Sequence, residues 1–145
     1  MPDGIPSGAM NEQIVVAGAL LCAGRLLVAQ RQRPPELAGL WELPGGKVAR
    51  GESDADALVR ELREELGVGV IVGARLGADV ALPTGMTLRA YRATLSAGTP
   101  QPHDHQALRW VTADELHDLP WVPADRAWLP DLLDALSPPS RREST

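Results

Sequence analysis

Apolar and polar positions along this chain alternate with two different periods. Residues 13–22 form a nearly unbroken apolar run, and residues 25–30 form a second, with only Ala23-Gly24 between them. Apolar runs of that length bounded by a turn read as buried strands, and the two-residue spacer predicts that they pair as a hairpin. Residues 32–40 contain Pro34-Pro35 and read as a loop. Trp41-Glu42-Leu43-Pro44 reads as a short strand that ends in a turn at Gly45-Gly46. Residues 68–81 predict one or two strands, 87–95 another, 96–106 a long polar loop and 107–111 a short strand.

Elsewhere the period is that of a helix. Over residues 53–66, Ala55, Leu58, Val59, Leu62 and Leu66 recur at helical spacing and predict one apolar face. Ser53 is a candidate N-cap, and Asp54 and Asp56 fall in the first turn, where the helix dipole favours acids. Gly67 stands where a left-handed residue would end the helix. Thr112 and Glu115 have the spacing of a capping box and predict another helix start. Residues 125–136 predict an amphipathic helix with Trp128, Leu132, Leu133 and Leu136 turned inward. Helices packed on both sides of a mixed sheet make an α/β/α sandwich. The domain is expected over residues 11–137, with unstructured tails at 1–10 and 138–145.

The helix over 53–66 carries the most specific pattern in the chain. Residues 46–68 read GKVARGESDADALVRELREELGV. Glu61, Glu64 and Glu65 are spaced i, i+3, i+4 and so share one side of the helix. Like charges at that spacing repel, and a bound hard cation would reverse the penalty. Mg²⁺ takes oxygen ligands and keeps waters and phosphate oxygens in its shell, which suits three carboxylates beside a phosphate chain. Mn²⁺ also accepts carboxylate oxygens. Arg60 stands four residues before Glu64 and is placed to orient that carboxylate. Gly45 and Gly46 let the backbone come close to a ligand or metal. Lys47 is the only lysine in the chain and is a candidate phosphate contact, or else a plain surface lysine.

This segment resembles the Nudix box at every specified position: Gly46, Glu52, Arg60, Glu61, Leu62, Glu64, Glu65, Gly67 and Val68. Seven of those positions demand one residue type. At roughly 6% each, chance agreement is on the order of 10⁻⁹. Further stretches are similar to the MutT branch, especially its CTP pyrophosphohydrolase-like members. They are Val28-Ala29-Gln30-Arg31, the run from Leu37 to Lys47, His103-Asp104-His105-Gln106-Ala107-Leu108-Arg109-Trp110, and Val122-Pro123-Ala124-Asp125.

The resemblance implies the Nudix fold and a divalent-metal-dependent hydrolase of nucleoside diphosphate linkages. It implies that the Gly45 carbonyl, Glu61, Glu64 and Glu65 are metal ligands and that Arg31 contacts substrate phosphates. It implies that Asp104, six residues before Trp110, joins the metal site or acts as base. Its flanking histidines could suggest zinc instead, but no further Cys or His supplies the spacing. Asp125 stands where MutT proper has an Asn that reads the base. An ionised Asp only accepts hydrogen bonds. Cytosine presents an amino donor, so Asp125 suits it, without excluding oxidised guanine. A helix N-cap is a second role open to Asp125. Trp41 and Trp121 are candidates for stacking or pocket walls, Glu42 for substrate contact, and Trp110 and Trp128 for the core.

Composition narrows the function class. A chain of 145 residues with net charge −5 makes one domain with a real core. It has no basic cluster beyond Arg141-Arg142, so a nucleic-acid polymer is not the expected partner. No apolar stretch reaches membrane-spanning length, and residues 1–9 lack the apolar segment of a signal peptide. The single Cys22, in an apolar run, is expected as a buried small hydrophobe in a reducing, cytoplasmic setting. A monomer and a homodimer are equally compatible with the chain.

The resemblance therefore leads to an expected Mg²⁺-dependent pyrophosphohydrolase that converts an NTP or dNTP to the monophosphate and diphosphate, with attack at the β-phosphorus. CTP, dCTP and 5-modified cytosine nucleotides are the expected substrates, with 8-oxo-dGTP second, in cleansing of the nucleotide pool. Arg60, Glu61, Glu64, Glu65 and Asp104 form the expected catalytic set. Two other readings remain. One is hydrolysis of ADP-ribose, a dinucleotide or a nucleotide-sugar. The other is a non-catalytic nucleotide-binding module, which would be expected to lose the glutamates this chain keeps.

Overall fold

The computed structural model describes residues 13–137, so the expected tails at 1–10 and 138–145 lie outside the described residues. Strand β1 (Ile14–Cys22) turns through Ala23 and Gly24, both at positive φ (52° and 77°), into β2 (Arg25–Gln30). Two positive φ values make the tight turn whose twist matches paired strands. The predicted hairpin forms, with Leu21 opposite Leu26. Short strands β3 (Trp41–Glu42) and β4 (Gly45–Lys47) follow, then β5 (Gly69–Ala81), β6 (Thr87–Ala97) and β7 (Ala107–Val111). The sheet runs β3-β2-β1-β6-β5, with β4 paired to β1 and β7 to β2. The β1–β6 ladder is parallel and the other ladders are antiparallel, so the sheet is mixed.

Alternation along β1 splits the core in two. Val16 and Leu20 face helix α1 (Asp54–Leu66), whose Leu58, Leu62 and Leu66 are fully buried. Gly18 lies between them, where an added Cβ would stand 3.2 Å from Leu62. Ala17 and Ala19 face the opposite layer, with Trp121, Trp128, Leu116 and Leu132. That layer holds a 3-10 turn (Ala113–Asp118), a second (Asp125–Trp128) and helix α2 (Leu129–Leu136). The result is the expected α/β/α sandwich.

Several boundaries differ from expectation, each for a physical reason. Residues 69–81 form one strand, not two, because three bulge-like register shifts let it bend and stay paired to β6. β6 itself runs two residues past the expected end, to Ala97. The expected helix over 125–136 breaks into a 3-10 turn and α2, since Pro130 fits only the first turn of a helix. The Thr112 capping box exists, with the Glu115 carboxylate accepting from the Thr112 N–H at 2.8 Å, but it starts a 3-10 turn rather than an α-helix. Gly45-Gly46 is strand, not turn: a Cβ on Gly45 would collide with the Val16 carbonyl, so glycine permits the β1–β4 pairing. Ala55 is exposed and Ala57 is buried, because alanine has too little apolar surface to set a helix's phase against three leucines. Cys22 is exposed, since the last residue of β1 sits at the turn rather than in the covered part of the strand.

Burial of α1 rests mainly on its leucines. Leu62→Ala is expected to lower the unfolding free energy by about 2–5 kcal/mol, read from urea denaturation. A loss below about 1 kcal/mol would mean that the leucine face does not hold the helix to the sheet.

Candidate active site

The local sequence sets α1 firmly. The Ser53 side chain accepts from the Asp56 N–H at 3.1 Å, and Gly67 (φ 73°) closes the other end with its N–H on the Arg63 carbonyl. Since the leucines face the sheet, the glutamates are left on the other side. Arg60 ties that side to the loop before it. Its Nε and Nη2 donate to the two Glu52 oxygens at 2.8 and 2.9 Å, and Nη2 also donates to the Lys47 carbonyl at 3.0 Å. Nη1 donates to Glu61 at 3.0 Å and to Glu64 at 3.4 Å. Arg60 therefore touches three carboxylates and one carbonyl. With Arg60 and the Ala49 N–H on it, the Glu52 carboxyl is held down at about 2.

The three expected metal ligands occupy different environments. Glu64 is exposed. Glu61 is half-buried, and burial raises its pKa while Arg60 opposes the rise. A Cβ on Gly46 would collide with the Glu61 carboxylate, so the second glycine admits that side chain. Glu65 is pushed up to about 8, first by burial and then by the charges of Glu61, Glu42 and Asp104, with the Gly45 backbone opposing. Its Oε1 is buried and has no hydrogen-bond partner. Among the described residues no three His, Cys, Asp or Glu side chains converge on one point. Still, hard oxygen donors on one helix side, mutual repulsion and an orphaned carboxylate oxygen suit a divalent cation of the Mg²⁺ type.

A cleft of about 460 Å³ opens beside the Glu65 end of this helix. Of the residues expected in the site, it is lined by Arg31, Glu42, Gly45, Lys47, Glu65, Asp104 and Asp125. Arg60, Glu61 and Glu64 do not line it. Leu43, Leu82, Met86 and Val122 give it an apolar wall. Trp41 and Trp121, expected as stacking candidates, are instead buried in the core; Trp121 Nε1 donates to the Leu116 carbonyl. They brace the cleft from behind, because the Trp41 N–H reaches Pro120 and the Val122 N–H reaches Trp41. Trp128 is core, as expected, and Trp110 packs against the α1 side.

The His-Asp-His run splits three ways. His103 lies against Gly67. Asp104 pairs with Arg33 at 2.7 Å on the cleft rim. His105 is buried and its Nε2 is 3.0 Å from Glu42 Oε2. Glu42 also receives Arg31 Nη1 at 3.1 and 3.3 Å. His105 and Arg33 were not singled out as site residues from the sequence. The only local signal was their place beside Asp104 and Arg31.

Asp125 is 4% exposed at the cleft floor and does not cap a helix. Its Oδ2 accepts from the Leu43 N–H at 2.8 Å. Burial pushes its carboxyl up to about 8, and the Glu42 charge adds to this while the Leu43 N–H and Arg31 oppose it. Burial therefore works against the ionised, acceptor-only Asp125 expected from the sequence. It favours the protonated form, in which the group offers both a donor and an acceptor, as an amide would.

Known proteins resemble this chain throughout. Residues 12–132 match the family description NUDIX domain. A Mycobacterium tuberculosis protein named putative 8-oxo-dGTP diphosphatase 2 is 60% identical over 131 residues, covering 88% of this chain and 93% of that protein. The CTP pyrophosphohydrolase of Escherichia coli is 43% identical over 113 residues, covering 77% and 84%. The solution structure of the E. coli ORF135 protein superposes with a TM-score of 0.75 at 39% identity, covering 88% and 92%. The crystal structure of a MutT Nudix hydrolase from Burkholderia pseudomallei superposes at 0.68 with 33% identity, covering 83% and 97%. Among the described residues no helix is long and apolar enough to cross a membrane.

The buried Asp125 has a stability signature. Its carboxyl titrates near 3.8 when unfolded and near 8 when folded, so between those values the folded state binds more protons. Its contribution therefore falls as pH rises through that window. Asp125→Asn keeps an oxygen for the Leu43 N–H and removes the titration. The wild-type urea midpoint is expected to drop more steeply than the variant's between about pH 5 and pH 8. Equal slopes would show that Asp125 is ionised in the fold.

Proposed function

The chain belongs to the Nudix family of hydrolases, and from that premise we propose that it is a nucleoside triphosphate pyrophosphohydrolase, releasing diphosphate from cytosine nucleotides and from 8-oxo-dGTP. The observation that carries this reading is one cleft lined by apolar side chains, a buried carboxyl and cationic groups together. Asp125 lies at its floor beside the apolar wall of Leu43, Leu82, Met86 and Val122, while Arg31, Lys47 and Glu65 line the same space. The volume of about 460 Å³ suits one small ligand.

The apolar wall would hold the base by dispersion and exclusion of water, with no aromatic stack. Asp125 would read the base edge with one donor and one acceptor. That chemistry would serve cytosine and an oxidised guanine alike, whereas an ionised Asp125 would favour the cytosine amino group. The names of the relatives point to both: CTP in one, 8-oxo-dGTP in the other. The planar fork of Arg31 and the ammonium of Lys47 would neutralise and orient the phosphate chain.

Glu61, Glu64, Glu65 and the Gly45 carbonyl would hold Mg²⁺, or Mn²⁺ in its place. Such a cation supplies charge neutralisation on phosphate oxygens and lowers the pKa of water. Glu64, Glu65 and Asp104 are the candidate proton acceptors, at carboxylate oxygens on or near the cleft rim.

The deciding assay is diphosphate release with Mg²⁺ on CTP, dCTP, 5-methyl-dCTP, dGTP, 8-oxo-dGTP and ADP-ribose. Cytosine nucleotides and 8-oxo-dGTP are expected to exceed dGTP in kcat/KM. AMP formed from ADP-ribose, with no diphosphate from any triphosphate, would overturn the substrate class. Glu64→Gln is expected to lower kcat by about 10²–10⁴-fold with an unchanged melting temperature, since the side chain is exposed. Near-normal turnover in that variant would remove Glu64 from the mechanism.

A further inference from the structure

His105 stands out among the groups to which the proposed reaction gives no task. It is 8% exposed as a residue, in the wall of the cleft, and its side chain is 5% exposed. Its Nε2 has one partner, Glu42 Oε2 at 3.0 Å, and its Nδ1 is buried with none. A buried nitrogen without a partner opposes folding, and a leucine would fill the space without that penalty. The one polar contact that the ring makes is therefore the place to look for its use.

That contact leads to Arg31. Nε2–H donates to Glu42, and Glu42 accepts Arg31 Nη1 with both oxygens, at 3.1 and 3.3 Å. Arg31 Nε donates to the Arg33 carbonyl at 3.0 Å. The guanidinium is thus fixed at two of its nitrogens, and Nη2 makes no hydrogen bond among the described residues. The Glu42 side chain is 15% exposed, so the Arg31–Glu42 pair is partly shielded from solvent and its geometry counts. Without a second donor, the Glu42 carboxylate could rotate and Arg31 would follow it.

We infer that His105 is a positioning residue for the substrate's phosphate chain, acting through Glu42 to hold the Arg31 guanidinium with its free edge toward the cleft. This rests on the proposed role of Arg31 as a phosphate contact. His105 touches no reacting atom. It works because an arginine already held in its binding geometry loses less freedom when a phosphate arrives.

The test is a double-mutant cycle on the full chain with CTP and Mg²⁺, comparing wild type, Arg31→Ala, His105→Leu, His105→Gln and the Arg31→Ala/His105→Leu pair. His105→Leu is expected to raise KM about tenfold with kcat nearly constant, the mark of lost uniform binding. The melting temperature should not fall, since an orphaned nitrogen is removed. His105→Gln, whose amide N–H replaces the Nε2 donor, should recover most of the loss. In the Arg31→Ala background His105→Leu should add little, because both changes break one chain of contacts. An unchanged KM in His105→Leu overturns the inference, and so does an equal loss in both backgrounds.

Arg31→Ala with a wild-type KM removes the phosphate role of Arg31 and the inference with it. If wild type releases no diphosphate from CTP or any other triphosphate, the functional reading itself has failed, which is a different result from a silent His105→Leu. Should His105→Leu not fold, Glu42→Gln replaces it in the cycle, with the same KM rise and the same non-additivity expected.

Discussion

The Arg60 guanidinium is the constraint on which the site depends. Three of the carboxylates around it come from one helix side and the loop before it, and without a counter-charge they would drive each other apart. Arg60 reaches Glu52, Glu61, Glu64 and the Lys47 carbonyl at once. The arrangement lies outside the cleft and in part exposed to solvent, where ion pairs add little to global stability. Its value is geometric. It fixes the end of strand β4, which carries Gly45, Gly46 and Lys47, against the helix that carries the glutamates. The Nudix box thus encodes a brace: Glu52 and Arg60 hold, and Glu61 and Glu64 are held.

The cleft beside this brace is electrostatically unfavourable as it stands. Glu42, Glu65, Asp104 and Asp125 all line it, facing Arg31, Arg33 and Lys47. Arg31 is engaged by Glu42, and Arg33 by Asp104. The unfavourable balance shows in the two most buried acids, Glu65 and Asp125, both pushed up to about 8 chiefly by desolvation. Glu42 raises both, so one charge couples Asp125 to Glu65. Sites that bind charge are where such strain in protonation collects. A ligand that brings cations to Glu65 and neutral hydrogen-bonding groups to Asp125 relieves both ends, and a metal–nucleotide complex has that composition.

Sequence patterns revealed some of this and hid the rest, for identifiable reasons. The helix from its Ser53 cap to Gly67 was legible apart from the place of Ala55 and Ala57, because cap, leucine period and stop are all local chemistry. The β1–β2 hairpin was legible for the same reason. Strand ends were less so. β5 stays one strand because bulges absorb its misfit to β6, and bulges leave no sure mark in composition. Pro130 did announce where α2 must begin, yet a run of apolar residues at helical spacing masked it. The two tryptophans expected at the cleft went to the core because aromatic residues suit either place, and only the Trp41–Trp121 bridge decides between them.

Charge state was the least legible property, because it depends on burial created by the whole fold. Asp125 looked like an acceptor in isolation, and burial by the assembled fold raises its carboxyl against the Leu43 N–H, 82 residues away, which favours the ionised form. His105 is a parallel case. Residues 103–105 read alike along the chain, but β2–β7 pairing sets Gln30 opposite Ala107, and the Gln106 N–H binds the Gln30 carbonyl. That register brings His105 beside Arg31 and, through the β2–β3 ladder, beside Glu42. A shift of one residue would exchange the buried and exposed sides of the segment and put Asp104 inward in its place. Long-range strand register, which no local motif records, therefore decides which member of the His-Asp-His run meets the Arg31–Glu42 pair.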